Sequence, residues 1–130
     1  MSDDLLEQGM RTRREVLGDA HVDSAMAGAD SFTADLQEYI TRSAWGAVWS
    51  RPGLDRRTRS CITVAMLAAQ GSEDELTLHL RAALRNGVSV DELKEVLLQV
   101  AVYAGVPRAN RAFSIARAVI AEAASPAEST

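Results

Sequence analysis

The chain has little of what most reactive sites are built from. It holds one cysteine, Cys61, in 130 residues, which excludes an internal disulfide, a CxxC redox pair and a thiolate-rich metal site. Two histidines, His21 and His79, stand too far apart for the spacing of a zinc site, and no glycine-rich phosphate loop is present. No metal is expected, and chemistry without a cofactor is the default. Lysine is nearly absent, since Lys94 is the single one among 14 basic residues. Aromatic residues make up only 5%. No apolar run approaches the roughly 20 residues of a membrane helix, and the opening MSDDLLEQ is acidic where a signal peptide would be basic. These absences lead us to expect a cytoplasmic protein with no membrane partner. The net charge of −4 argues against nucleic acid.

What remains is ordinary globular material, 47% hydrophobic and 25% charged, with arginine as its main cation. Arginine suits bidentate grip on carboxylates. The periodicity predicts an all-α protein of about six to seven helices, with residues 1–124 as one domain and 125–130 as a flexible tail. Asp3 or Asp4 caps a first helix to about Leu17, with Arg11, Arg13 and Arg14 outside, and Gly18 ends it. His21 to Ala29 reads as a short helical turn. Ser31 caps a second helix to about Trp49, stopped by Arg51-Pro52-Gly53. Asp55 caps RRTRSCITVAMLAAQ, apolar on every side from Cys61 to Ala69 and so expected to be buried all round.

Two capping boxes follow. Ser72 with Glu75 opens the helix that Asn86-Gly87 closes, and Ser89 with Glu92 opens the helix that Gly105 closes. A last helix runs from about Arg108 to Ala124. Leu78, Leu98 and Val102 fall beyond the inward stripes of their helices, which points to partner subunits.

His79 is the leading candidate for chemistry, because a neutral imidazole gives or takes a proton near pH 7. It lies on a flank between the two faces of its helix, with Glu75 one turn before and Ala82 and Ala83 one turn after, which suggests a pocket wall. A structural histidine is an equally good account from the residues alone. Glu75 either caps the helix or orients the ring, or does both. Arg51 and Arg59 are placed to meet an anion, while Arg56 and Arg57 read as solvated. Trp45 and Trp49, one turn apart, are core or pocket lining, with core the leading account. Tyr103 ends a polar strip with Glu95 and Gln99 and is expected in or beside a cavity. His21 is expected at the surface in a loop after Gly18-Asp19, and Cys61 as inert packing.

Four blocks carry a resemblance: GDAHVD at 18–23, WGAVWSRPGLDRRTRS at 45–60, LHLRAALRNGVS at 78–89 and YAGVPRANRAF at 103–113. Through them the chain resembles the carboxymuconolactone decarboxylase family, within the wider alkylhydroperoxidase-D-like superfamily, over nearly its whole length. Peroxidase-type members of that superfamily carry C-x-x-C-x-x-x-H on the matching helix. Aligned on His79, those cysteines are replaced by Ser72 and Glu75, so disulfide chemistry is lost. The resemblance implies cofactor-free decarboxylation of 4-carboxymuconolactone to 3-oxoadipate enol-lactone by an all-helical subunit that self-associates to a trimer or hexamer. For that chemistry His79 is the candidate proton donor with Glu75 orienting it, Arg51 and Arg59 are candidates to grip the two carboxylates of the dicarboxylate lactone, and Trp45, Tyr103 and His21 are candidates to contact it. Two other readings stand beside it, a redox relative using Cys61 alone and a non-catalytic oligomeric carboxylate-binding module.

Overall fold

The computed structural model describes residues 3–125. Among them are seven α-helices and one π-helical segment, with no strand, as the periodicity predicts. The tail expected from residue 125 lies, from 126 on, outside the described residues. The chain divides into two compact units, Met1–Arg56 and Arg57–Thr130.

The first unit is built on α1 (Asp4–Leu17), α2 (Asp19–Ala27), α3 (Ala34–Ile40) and the π segment Thr41–Trp49 that continues α3. Asp3 caps α1 by accepting from the Leu6 N–H at 3.1 Å. Two glycines let α1 and the π segment touch backbone to backbone. A Cβ on Gly9 would stand 2.1 Å from the Thr41 carbonyl oxygen, and one on Gly46 would stand 2.6 Å from that of Leu5. No side chain fits there.

Three expectations change in this unit. Arg13 is not outside but 5% exposed, because α1 buries Gly9, Thr12, Arg13 and Val16 as its inward strip. Its guanidinium donates to Thr41 Oγ1 at 3.2 Å and Gln37 Oε1 at 2.9 Å. His21 sits within a regular helix, α2, rather than in a loop. The cap expected at Ser31 is not made: α3 begins only at Ala34, after Thr33, which makes no side-chain cap hydrogen bond. The turn before it is held by Asp30, whose Oδ1 accepts from the Phe32 and Thr33 N–H groups at 3.0 Å each. A short carboxylate closes such a turn more firmly than a hydroxyl.

The second unit comprises α4 (Arg56–Gln70), α5 (Glu73–Arg85), α6 (Val90–Ala104) and α7 (Val106–Ala124). Its core joins Val64 and Ala68 of α4, Leu76, Leu80 and Ala83 of α5, Leu93 and Leu97 of α6, and Ala112, Ala116 and Val119 of α7. Alanines and valines let these helices approach closely, and the leucines fill the space between them. The Ser89–Glu92 capping box forms in full, with hydrogen bonds of 3.1 and 2.9 Å. The Ser72–Glu75 box does not. Ser72 makes no cap hydrogen bond through its side chain and stands 3.4 Å from Gln70 Oε1. The second correction concerns α4, which buries only Ser60, Val64 and Ala68 and leaves Met66 58% exposed. An apolar circumference marks a helix that something should cover, and among the described residues of α4 the buried ones fall on one face. The last helix starts at Val106, directly after Gly105 at φ 102°, with Pro107 in the first turn where its missing N–H costs nothing.

Candidate functional site

The chemistry expected of α5 depends on where its histidine points. Leu76, His79, Leu80, Ala82 and Ala83 are the buried residues of this helix, and His79 itself is 8% exposed. The imidazole therefore belongs to the inward face, not to a flank. Leu76 before it and Leu80, Ala82 and Ala83 after it make that face apolar. Glu75, one turn before His79, is exposed.

A polar contact lies further along the same face. Asn86 Nδ2 donates to Ser60 Oγ at 3.3 Å and to the Ala82 carbonyl at 2.8 Å, and Ser60 is fully buried on α4. Sequence reasoning missed both residues. Asn86 reads as half of an Asn-Gly helix exit, and Ser60 as the last polar position before an apolar run, so neither announces a contact between helices. Arg59, the residue before Ser60, is half-buried. Its carbonyl accepts from Thr63 Oγ1 at 2.8 Å.

The two neighbouring arginines take structural places. Arg57 pairs with Glu92 and donates through Nε to the Gly87 carbonyl at 3.2 Å, so it ties the start of α4 to the α5–α6 turn. Arg56 Nη1 lies 3.3 Å from Glu15 Oε2.

A groove of about 460 Å³ runs between α4 and α6, lined by Cys61, Ile62, Met66, Val96, Gln99 and Tyr103 among others. Tyr103 is thus beside a cavity, as expected, although it is 85% exposed and stands at the rim. Cys61 packs partly against the core and partly into this groove.

In the first unit, Trp45 and Trp49 are both buried, with ring centroids 5.0 Å apart and planes inclined by 33°. The π segment sets that spacing. The hydroxyls of Thr41 and Ser43 donate back to the carbonyls of Gln37 and Tyr39 at 2.8 and 2.6 Å, competing for the oxygens that a regular α-helix would use. Ser50 Oγ donates to the Trp45 carbonyl at 2.7 Å and, with its one hydrogen so used, accepts from the Thr12 hydroxyl at 2.7 Å. Arg51 follows as an exposed residue whose backbone N–H donates to the Val48 carbonyl at 3.0 Å. His21 is half-buried on α2. The first unit thus carries His21, Trp45 and Arg51, and the second carries Arg59, Glu75, His79 and Tyr103.

Comparison with known proteins gives this arrangement a context. The model of the carboxymuconolactone decarboxylase family matches residues 34–118. A 4-carboxymuconolactone decarboxylase of Acinetobacter baylyi is 51% identical over 113 residues, covering 87% of this chain and 84% of the relative. A nitrosuccinic acid decarboxylase of Metarhizium robertsii is 42% identical over 116 residues, covering 89% and 81%.

Proposed function

The chain belongs to the carboxymuconolactone decarboxylase family, and on that basis we propose that it converts 4-carboxymuconolactone to 3-oxoadipate enol-lactone with release of CO2. The reaction belongs to the protocatechuate branch of the β-ketoadipate pathway, and the protein acts in the cytoplasm with residues 1–124 as its functional domain. Identity of 51% along most of both chains carries the reading.

The chemistry asks little of the protein beyond placement. The departing carboxylate sits on the carbon conjugated through the ring double bond to the lactone carbonyl. When the bond to CO2 breaks, its electron pair moves into that system and the carbonyl oxygen takes the negative charge. A proton delivered to the ring carbon next to the carbonyl then gives the enol-lactone. No external electron sink is needed for this balance.

His79 is the proton donor in this scheme. Its support is the buried, apolar face of α5, where a proton passes to substrate without competition from bulk water. Glu75 acts on His79 from one turn away as a positioning residue. Arg51 and Arg59 hold the substrate carboxylates by charge-assisted hydrogen bonds, and Trp45, Tyr103 and His21 shape the surroundings. The enzyme works as a homo-oligomer, a trimer or hexamer, which the exposed apolar side chains of α4 and α6 support.

A second substrate follows from the Metarhizium relative. Nitrosuccinic acid also loses a carboxylate next to a group, here nitro, that accepts the electron pair, so the same donor and anion grips serve it. Purified protein supplied with each acid separately, with CO2 followed by trapping and the product by absorbance, tests both. Turnover of 4-carboxymuconolactone is expected to exceed that of nitrosuccinate. CO2 from neither acid removes the decarboxylase reading, and CO2 from 4-carboxymuconolactone alone removes only the second substrate.

A further inference from the structure

A second groove, of about 620 Å³, lies between α6 and α7, and His79 is not among its lining residues. Its floor is Leu93, Leu97 and Ala116 from the core. Phe113 and Ile120 wall it, and Lys94 and Arg117 stand over it. The volume is in the range of small-molecule sites, roughly 300–1,000 Å³.

The placement of the two cations follows from the hairpin. Helices α6 and α7 are joined through Gly105 alone, and Lys94 lies about as far before that glycine as Arg117 lies after it. In an antiparallel pair the two residues are therefore level with each other. Leu97 and Phe113 are level in the same way nearer the turn, and Val90 and Ile120 nearer the far end. The groove is thus an apolar trough with a positive clamp at mid-length.

The charge of this clamp is little used by the protein itself. No aspartate or glutamate lines the groove. Lys94 has only a long 3.8 Å approach to Asp91 Oδ1, with both side chains more than half exposed, a geometry that contributes almost nothing. Among the described residues, the side chains of Arg117, Asn110 and Ser114 enter no hydrogen bond or ion pair. In a protein of net charge −4, where Arg81 of α5 and Arg111 of α7 are engaged with Glu122 and Glu73, that is a local reversal of sign. A single carboxylate between Lys94 and Arg117, with an apolar body lying on Leu97 and Phe113, satisfies both halves of the trough.

We propose that the α6–α7 groove is a second ligand site, separate from the decarboxylation site, that takes a small amphipathic monocarboxylate with an aromatic or short alkyl body. The site is distinct in chemistry from one for a dicarboxylate lactone, because it presents one clamp and a long apolar floor.

Titration calorimetry of the full chain with 4-phenylbutyrate, and with 4-phenylbutanamide as its uncharged counterpart, tests the site. The carboxylate is expected to bind about tenfold or more tightly than the amide, and Lys94→Met/Arg117→Met to abolish that preference. The same double variant is expected to keep kcat/KM for 4-carboxymuconolactone within about twofold of wild type, and His79→Ala to keep phenylbutyrate binding. Equal binding of acid and amide, or binding unchanged in the double variant, overturns the proposal. Loss of phenylbutyrate binding in His79→Ala also overturns it, by assigning the probe to the decarboxylation site. So does a fall in solution mass for the double variant without phenylbutyrate binding to wild type, which makes the groove a contact between copies.

Discussion

His79 and Arg13 are both polar residues pressed into apolar surroundings, and they differ in what holds them there. Arg13 sits at the meeting of α1 with α3 and the π segment, its guanidinium bonded to Gln37 and Thr41, and burial, with Arg14 nearby, lowers its pKa from the usual arginine value. Truncation to alanine leaves a cavity and strips partners from two side chains. Arg13→Ala is expected to lower unfolding stability by about 3 kcal/mol, and Arg13→Met, which refills the volume, to recover at least half of that in urea titrations. Equal losses would show that hydrogen bonding, not volume, dominates the site. His79 tests differently. His79→Ala is expected to reduce kcat about 100-fold or more while the urea midpoint moves little. Near-normal turnover would make it a packing residue.

Capping and close approach decide matters at the level of elements. Both Ser72 and Ser89 look like the start of a capping box, with a glutamate three residues on. Only Ser89 makes the bonds, because it leaves the preceding turn in extended backbone, at ψ 161°, and so aims its hydroxyl at the Glu92 N–H. Ser72 follows Gly71 with ψ 80° and turns its hydroxyl toward Gln70. Ser89→Ala is expected to cost about 1 kcal/mol and Ser72→Ala under about 0.5 kcal/mol, measured by chemical denaturation. The π segment offers a sharper test. A Cβ at Gly46 would meet the Leu5 carbonyl, a backbone atom that cannot swing away. Gly46→Ala is expected to destabilise by about 2 kcal/mol or more. Helix periodicity alone predicted one continuous helix from Ser31 to Trp49. Hydroxyl competition for carbonyls and a glycine contact made by α1 changed its last two turns.

For the whole molecule, acid response and assembly are the properties that follow. Arg111 bonds to Glu73 and holds its carboxyl below the ordinary glutamate value, and the Thr33 backbone N–H does the same for Asp30. For each, the folded pKa lies below the unfolded one. The stabilisation is therefore present above about pH 4 and lost as pH falls through the folded value. Urea midpoints are expected to stay level from pH 7 to 5 and fall below about pH 4, with a shallower fall in Glu73→Gln. Assembly should show in solution mass. A subunit of 14.0 kDa with Val102 77% exposed beside Leu98 is expected to run as a trimer or hexamer by light scattering. Leu98→Glu/Val102→Glu is expected to reduce that mass.

By itself the sequence determined the all-helical class, the ends of most helices and the singling out of His79. Those depend on local chemistry: a 3.6-residue period, a glycine past the last turn, a proline that cannot continue a helix. Tertiary structure decided the burial of His79 and Arg13, the contact between Ser60 and Asn86, the open face of α4 and the π geometry of Thr41–Trp49. Each of these depends on which helix lies against which, and a one-dimensional pattern states only that a face is apolar. Arg13 shows the difference most plainly. An arginine between two others reads as solvated, until α3 brings a glutamine and the π segment a threonine to receive it.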